Sequence, residues 1–321
     1  MKKTLAMLLA LVMSLSLVAC GGEPAPAPED SSNPEVVTPA DASTLAVCLA
    51  SEPDTIDPAL NSAVDGATMV SHLFSGLAKW SQDADGNLVI VADAAEELVE
   101  GVVNDDGTVT YTYTLRDGLK WSDGKPVTAG DFEFAWKRAA SVELAADYCY
   151  MFEVVDGYAD VWAEVEGAEL NVVAKDDKTL EVTLSNAVAY WNELLAFPTY
   201  FPVREDVVAD EAWATEPETY VCNGPYTITD WEHNSVITLE KNPNYVDADK
   251  VTMDKLECYL SDDTNNMLTN FENGSWQMID DVPVNEIPNL KTNYPEEFVV
   301  AGQIGTYYVC WNINEPLLPE E

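Results

Sequence analysis

Residues 115 to 138 read LRDGLKWSDGKPVTAGDFEFAWKR, and this run decides the fold. Asp117-Gly118 and Asp123-Gly124 are turn dipeptides in which glycine supplies the positive φ that other residues resist, and they bracket an exposed ribbon carrying Lys120 and Trp121. Thr128 then opens a helix. Its hydroxyl suits the free N–H groups of the first turn, and Asp131, three residues on, reaches back to the cap. Phe132, Ala135, Trp136 and Ala139 follow at helical spacing and give that helix one apolar face.

This stretch resembles the signature of the bacterial extracellular solute-binding proteins, family 5, which serve oligopeptide, dipeptide and nickel ABC importers. The resemblance extends along the chain. Glu52-Pro53-Asp54-Thr55-Ile56-Asp57-Pro58 is similar to the family's opening motif, and Leu73-Phe74-Ser75-Gly76-Leu77 to its LFEGL, with Ser in place of Glu. Asn223-Gly224-Pro225-Tyr226, Lys241-Asn242-Pro243-Asn244-Tyr245 and Gly305-Thr306-Tyr307-Tyr308 follow in the family's order. The resemblance implies a mixed α/β fold of the type II periplasmic-binding-protein kind, in its three-domain, peptide-binding variant. It divides the chain into a discontinuous first domain (residues 45–74 and 204–304), an inserted second domain (75–203) and a crossing strand (305–321). Beyond that strand the family carries a ligand-closing lobe, which the expectation treats as largely absent from a sequence ending at Glu321.

The N-terminus reads independently of the family. Lys2 and Lys3 precede an apolar run from Leu5 to Val18 that ends in Leu17-Val18-Ala19-Cys20-Gly21, a charged start, a hydrophobic stretch and a small-residue cleavage site. The run is shorter than the ~20 residues needed to span a bilayer. Residues 1–19 therefore read as a lipoprotein signal peptide, with Cys20 as the lipidated first residue of the mature protein. The next segment, 20–44, is rich in Pro, Ala, Ser and acid and reads as a disordered tether. The expected location is the extracytoplasmic face of the cell membrane.

The full chain has 15 Lys and Arg against 57 Asp and Glu, a formal net charge of −42. That balance argues against nucleic acid as a partner and against adhesion to anionic lipid through a charged face. The acids are spread along the whole sequence, which suits a solvated surface better than a trap for cations. With Cys20 given to lipid, Cys48, Cys149, Cys222, Cys258 and Cys310 remain, an odd number without CxxC or Cys/His spacing, so no connectivity follows. Cys48 and Cys258 alternate with apolar neighbours and read as small buried thiols.

Elsewhere, strands are expected at Thr44 to Ala50, Val109 to Leu115, Thr179 to Leu184 and Leu256 to Leu260, and a hairpin at Tyr226 to Trp231 and Val236 to Lys241. Helices are expected at Ala67 to Leu77 and at Asp262 to Asn273, the latter stopped by Gly274. Catalytic parts are missing from the pattern. His72 and His233 lie in no ligand spacing, the first reading as structural and the second as an exposed turn residue, and no GxSxG, Walker A or GxGxxG occurs. Asp83-Ala84-Asp85-Gly86-Asn87 places its glycine wrongly for a calcium loop. Neither enzyme, cofactor nor metal is expected.

A binding protein needs exposed backbone groups along a cleft and aromatic walls, because an extended peptide offers the same backbone groups whatever its sequence. The resemblance places backbone presented to ligand at Ser62-Ala63-Val64 and Asp280-Asp281-Val282, and aromatic walls at Tyr148 and Tyr308. Trp121 is expected to brace its ribbon. The reading is a monomeric lipoprotein that captures oligopeptides and delivers them to ABC-importer permease subunits. Its rivals are the same class with nickel chelate, dipeptide or oligosaccharide as cargo, a surface adhesion or sensing lipoprotein on the same scaffold, and a gene fragment without function. Cys310 and Gln277 depart from the family's acidic residues at those places and leave ligand identity open.

Overall fold

The computed structural model describes residues 43–302 and 306–311. In chain order its strands and main helices are β1 (Thr44–Ala50), α1 (Val64–Leu73), β2 (Ala78–Gln82), β3 (Leu88–Ala92), β4 (Val102–Val103), β5 (Val109–Thr114) and α2 (Ala129–Ala139). Then follow β6 (Val172–Ala174), β7 (Thr179–Leu184), β8 (Tyr226–Glu232), β9 (Val236–Lys241), β10 (Lys255–Leu260), α3 (Thr264–Glu272), β11 (Met278–Ile279) and α4 (Ile287–Asn293).

The strands form a mixed five-stranded sheet in the order β11-β1-β10-β9-β8, a four-stranded sheet in the order β4-β5-β7-β6, and the hairpin β2-β3. β1 runs parallel to both β10 and β11, with Val47 opposite Cys258 on one side and Met278 on the other. β8, β9 and β10 are antiparallel neighbours. The alternation read from sequence explains the faces: Ile237 and Leu239 on β9 and Leu256 and Cys258 on β10 turn inward, and the residues between them are more exposed. In the smaller sheet Tyr113 pairs with Leu180 and Tyr111 with Val182, and the apolar face of α2 lies on β6 and β7. Trp136 is fully buried there, its ring edge-on to Tyr200 at 5.0 Å and its Nε1–H donating to the Tyr200 carbonyl at 2.8 Å. One continuous core runs from Val47 and Leu73 through Trp121 and Trp136 to Leu239, and a second small cluster of Ala46, Cys48, Met267 and Trp276 packs on the other face of β1.

Several expectations change. The helix expected over 67–77 spans Val64–Leu73, because Phe74 turns extended and the chain is gripped there. The Leu73 carbonyl accepts from the Gly224 amide at 2.7 Å, and the Ser75 amide and carbonyl are both taken by the buried Asn223 side chain at 3.0 Å. Trp121, expected on an exposed ribbon, is fully buried, its Nε1–H directed at Asp131. Burial of the indole outweighs the polar ribbon around it. The crossing strand expected from residue 305 onward carries no strand at Thr306–Trp311, since no described strand lies beside it to take its backbone groups. Asp83 gathers the Asp85 and Asn87 amides of the β2-β3 turn, which accounts for that acidic loop without a cation.

Candidate functional site

Three parallel strands end at one place. Because β10 and β11 both run parallel to β1, the residues after each lie along one edge of the sheet. Ser51 follows β1, Ser261-Asp262 follows β10 and Asp280-Asp281 follows β11, and all five line a single depression of about 360 Å³. Ala63, Val64 and Asp65, at the start of α1, complete the rim with Met267. Ligands of open α/β sheets sit at this carboxyl edge.

The two helices beside the depression begin differently. α3 is capped by Asp263, whose carboxylate accepts from the Asn265 and Asn266 amides at 2.9 and 3.2 Å. α1 starts after Ala63, which has no side chain able to cap, and Val64 is 81% exposed. Asp65 turns back to take the Gly66 amide at 2.8 Å, while the Val64 and Asp65 amides have no intrahelical acceptor. The start of α1 and the acidic residues Asp262, Asp280 and Asp281 thus line the same depression. Burial and the neighbouring Asp281 charge push the Asp280 carboxyl above the usual carboxylate range. Such a rim can donate to a carbonyl or carboxylate at one end and accept from an amide or ammonium at the other.

The two loops expected to present backbone are brought together by the fold. Ala63, Val64, Asp280 and Asp281 share the depression, while Val282 faces the adjoining hollow. That hollow, of about 550 Å³, is walled by Leu268, Phe271, Ile279, Leu290, Tyr294 and Phe298, and Asp280 and Asp281 form the partition. Ser62 points away from the depression toward Tyr148: its hydroxyl donates to Asp147 at 2.7 Å, and the Tyr148 hydroxyl reaches its carbonyl at 3.5 Å. Tyr148 also packs edge-on against Phe197 at 5.1 Å. Tyr308 is 73% exposed on the segment 306–311 and joins neither cavity. Cys20 lies outside the described residues. Sequence reading missed Ser51, Ser261 and Asp262. Their signal was the parallel pairing of β1 with β10, which no local pattern discloses.

Among the described residues no group of three or more His, Cys, Asp or Glu is placed to hold a metal ion. Cys222 and Cys258 are buried, and burial pushes both thiols up to about 12, which keeps them from acting as thiolates at neutral pH. His72 is held by the Thr68 carbonyl at 2.7 Å on α1. Among the described residues no helix is long and apolar enough to cross a membrane.

A mixed parallel and antiparallel sheet with an open depression at its carboxyl edge defines an α/β protein. The model of the bacterial extracellular solute-binding proteins, family 5 Middle, matches residues 90–320, and the chain belongs to that family. It is 34% identical to the oligopeptide-binding protein OppA of Bacillus subtilis over 296 residues, covering 88% of this chain and 51% of that protein. It is 32% identical to the dipeptide-binding protein DppE of the same organism over 323 residues, covering 99% of this chain and 57% of that protein. Listeria monocytogenes OppA bound to peptide superposes with a TM-score of 0.69 at 32% identity, over 78% of this chain and 49% of that one. The fold is that of the type II periplasmic peptide-binding proteins, and the chain spans about half the length of the relatives it matches.

Proposed function

We propose that this chain is the non-catalytic, peptide-capturing component of an ABC importer, working as a monomer that hands oligopeptides to the permease subunits. The observation that carries this reading is the convergence of three parallel strand ends and the uncapped start of α1 on one open depression. An extended peptide laid across Ala63-Val64 and Asp280-Asp281-Val282 would exchange backbone hydrogen bonds on both sides, with its ammonium end drawn to the carboxylates. Tyr148 braces the loop before α1 through its contact with the Ser62 carbonyl, and Tyr308, which joins neither hollow, is left out of the rim. Residues 45–74 with 204–304 act as one lobe and 75–203 as a second.

Amide spectra of the protein titrated with a mixed pool of short peptides test the site. Shifts should concentrate at Ser51, Ala63 to Asp65 and Asp280 to Val282. Ala63→Trp, which fills the depression without touching the core, should remove them while leaving the unfolding midpoint in place. Shifts elsewhere, or shifts unaltered by A63W, overturn the assignment. In this reading Cys20 carries lipid and holds the protein on the extracytoplasmic face of the membrane. Cys20→Ser should move the protein to the soluble fraction; retention in washed membranes contradicts the anchor.

A further inference from the structure

The hollow adjoining the depression is walled by three elements. α3 supplies Leu268 and Phe271, α4 supplies Leu290 with Tyr294 just after it, β11 supplies Ile279, and Phe298 closes one side. These walls hold one another in place. Leu290 is buried, Phe271 stands edge-on to Tyr294 at 5.6 Å, and the Tyr294 and Phe298 amides donate to the Leu290 and Tyr294 carbonyls, each at 2.8 Å. The volume of about 550 Å³ falls within the ~300–1,000 Å³ of small-ligand pockets, whose walls are likewise mainly apolar.

The rim has the opposite character. Asp280 and Asp281 stand between the hollow and the depression, Glu297 lines the hollow, and Asp65 and Asp262 line the depression; no Lys, Arg or His lines either one. Among the described residues none of these carboxylates enters an ion pair. Charge therefore decides between occupants. A second copy of this chain, of net charge −42, would set the same carboxylates against each other, and residues 312–321 bring Glu315, Glu320 and Glu321 with no cation. A neutral apolar ligand would cover the acids without giving them a partner. A cation relieves the crowding of like charge that already pushes the Asp280 carboxyl up.

Building on peptide capture at the depression, we propose that the hollow is a side-chain subsite selecting short peptides in which an aromatic or branched aliphatic residue stands beside a cationic group. The apolar side chain fills the space between α3 and α4. The ammonium or guanidinium beside it meets Asp280, Asp281 and Glu297 at the rim. Burial of the apolar side chain supplies affinity, and the carboxylates supply the choice, since an acidic peptide is repelled at the same place.

Calorimetry and amide spectra of the full chain with three tripeptides, Lys-Trp-Lys, Glu-Trp-Glu and Lys-Gly-Lys, test the subsite. Lys-Gly-Lys feels the same general attraction to so acidic a chain, so its difference from Lys-Trp-Lys isolates the hollow. Lys-Trp-Lys should bind about tenfold tighter than either control and shift the Phe271, Leu290 and Tyr294 amides. Glu297→Lys, at an exposed residue, and Asp281→Asn, which keeps an acceptor for the Val282 amide, should each weaken Lys-Trp-Lys about threefold. Either change is small against the net charge of −42, so such a loss is local to the rim. Equal affinity for Lys-Trp-Lys and either control, no shifts along the hollow's walls, or both variants at wild-type affinity overturns the subsite. Where that happens while Ser51 and Ala63 to Asp65 still shift, peptide capture stands without it; where no residue shifts with any peptide, both readings fall.

Discussion

At single residues, the motifs that carry the family resemblance turn out to grip one another. Asn223 holds both backbone groups of Ser75, and Gly224 approaches the Leu73 carbonyl so closely that a Cβ would stand 2.5 Å from the Leu73 carbonyl carbon. Asn242, fully buried, donates to the Gly224 carbonyl at 2.9 Å, and Asn244 donates to the Ser122 carbonyl at 3.0 Å. The LFSGL, NGPY, KNPNY and WSDG segments are thus one interlocking seam, and their residue types are fixed by buried hydrogen bonding. Asn223→Ala would strip two buried backbone groups of their partners. We expect a loss of about 2–3 kcal/mol, read as a lower urea midpoint with unchanged slope. The substitution should leave amide shifts at Ala63 and Asp280 in place, since it lies outside the depression.

Among elements, legibility followed the range of the forces. β1 and β7 begin and end where alternation placed them, and α3 stops before Gly274, whose φ of 79° only glycine adopts without strain. Helix α2 starts after Thr128, and Asp131 accepts from the Thr128 amide at 2.8 Å and its hydroxyl at 3.1 Å in a capping box. These outcomes rest on a few neighbouring residues. α1 was misplaced because contacts from residues 223–224, far along the chain, end it at Leu73. The ribbon around Trp121 was read as exposed because the burial of its indole depends on the packed core and on Asp131. Of the two loops that resemblance named, the fold brings Ala63, Val64, Asp280 and Asp281 to one depression, but Ser51, Ser261 and Asp262 required knowing that β1 and β10 run side by side. Thr128→Ala should cost about 1 kcal/mol, seen as a reduced thermal midpoint. Hydrogen exchange should quicken first in the opening turn of α2, at Gly130 and Asp131. An unchanged midpoint would show that Asp131 alone carries the cap.

On the scale of the whole molecule, guanidinium groups tie segments distant in sequence. Arg138 on α2 holds the buried Asp57 through two bonds of 3.1 and 2.6 Å. Arg116 grips Asp247 through two bonds of 2.9 Å and also donates to the Asp93 carbonyl at 3.1 Å, joining the end of β5 to the segment between β9 and β10. In a chain with so few cations these two arginines are spent on cohesion. The Arg116 guanidinium holds the Asp247 carboxyl well below the usual carboxylate range, with Lys250 adding to the effect. Because the folded value is depressed, this carboxylate contributes stability above its unfolded value, near 3.9, and loses it as pH falls through the folded value. Arg116→Ala should therefore cost about 2 kcal/mol near neutral pH, the scale of hydrogen bonds to a charged partner. It should also flatten the acid limb of the stability curve below about pH 5. Chemical denaturation across that range measures both effects. A wild-type acid limb retained in Arg116→Ala would place the acid sensitivity on other carboxylates.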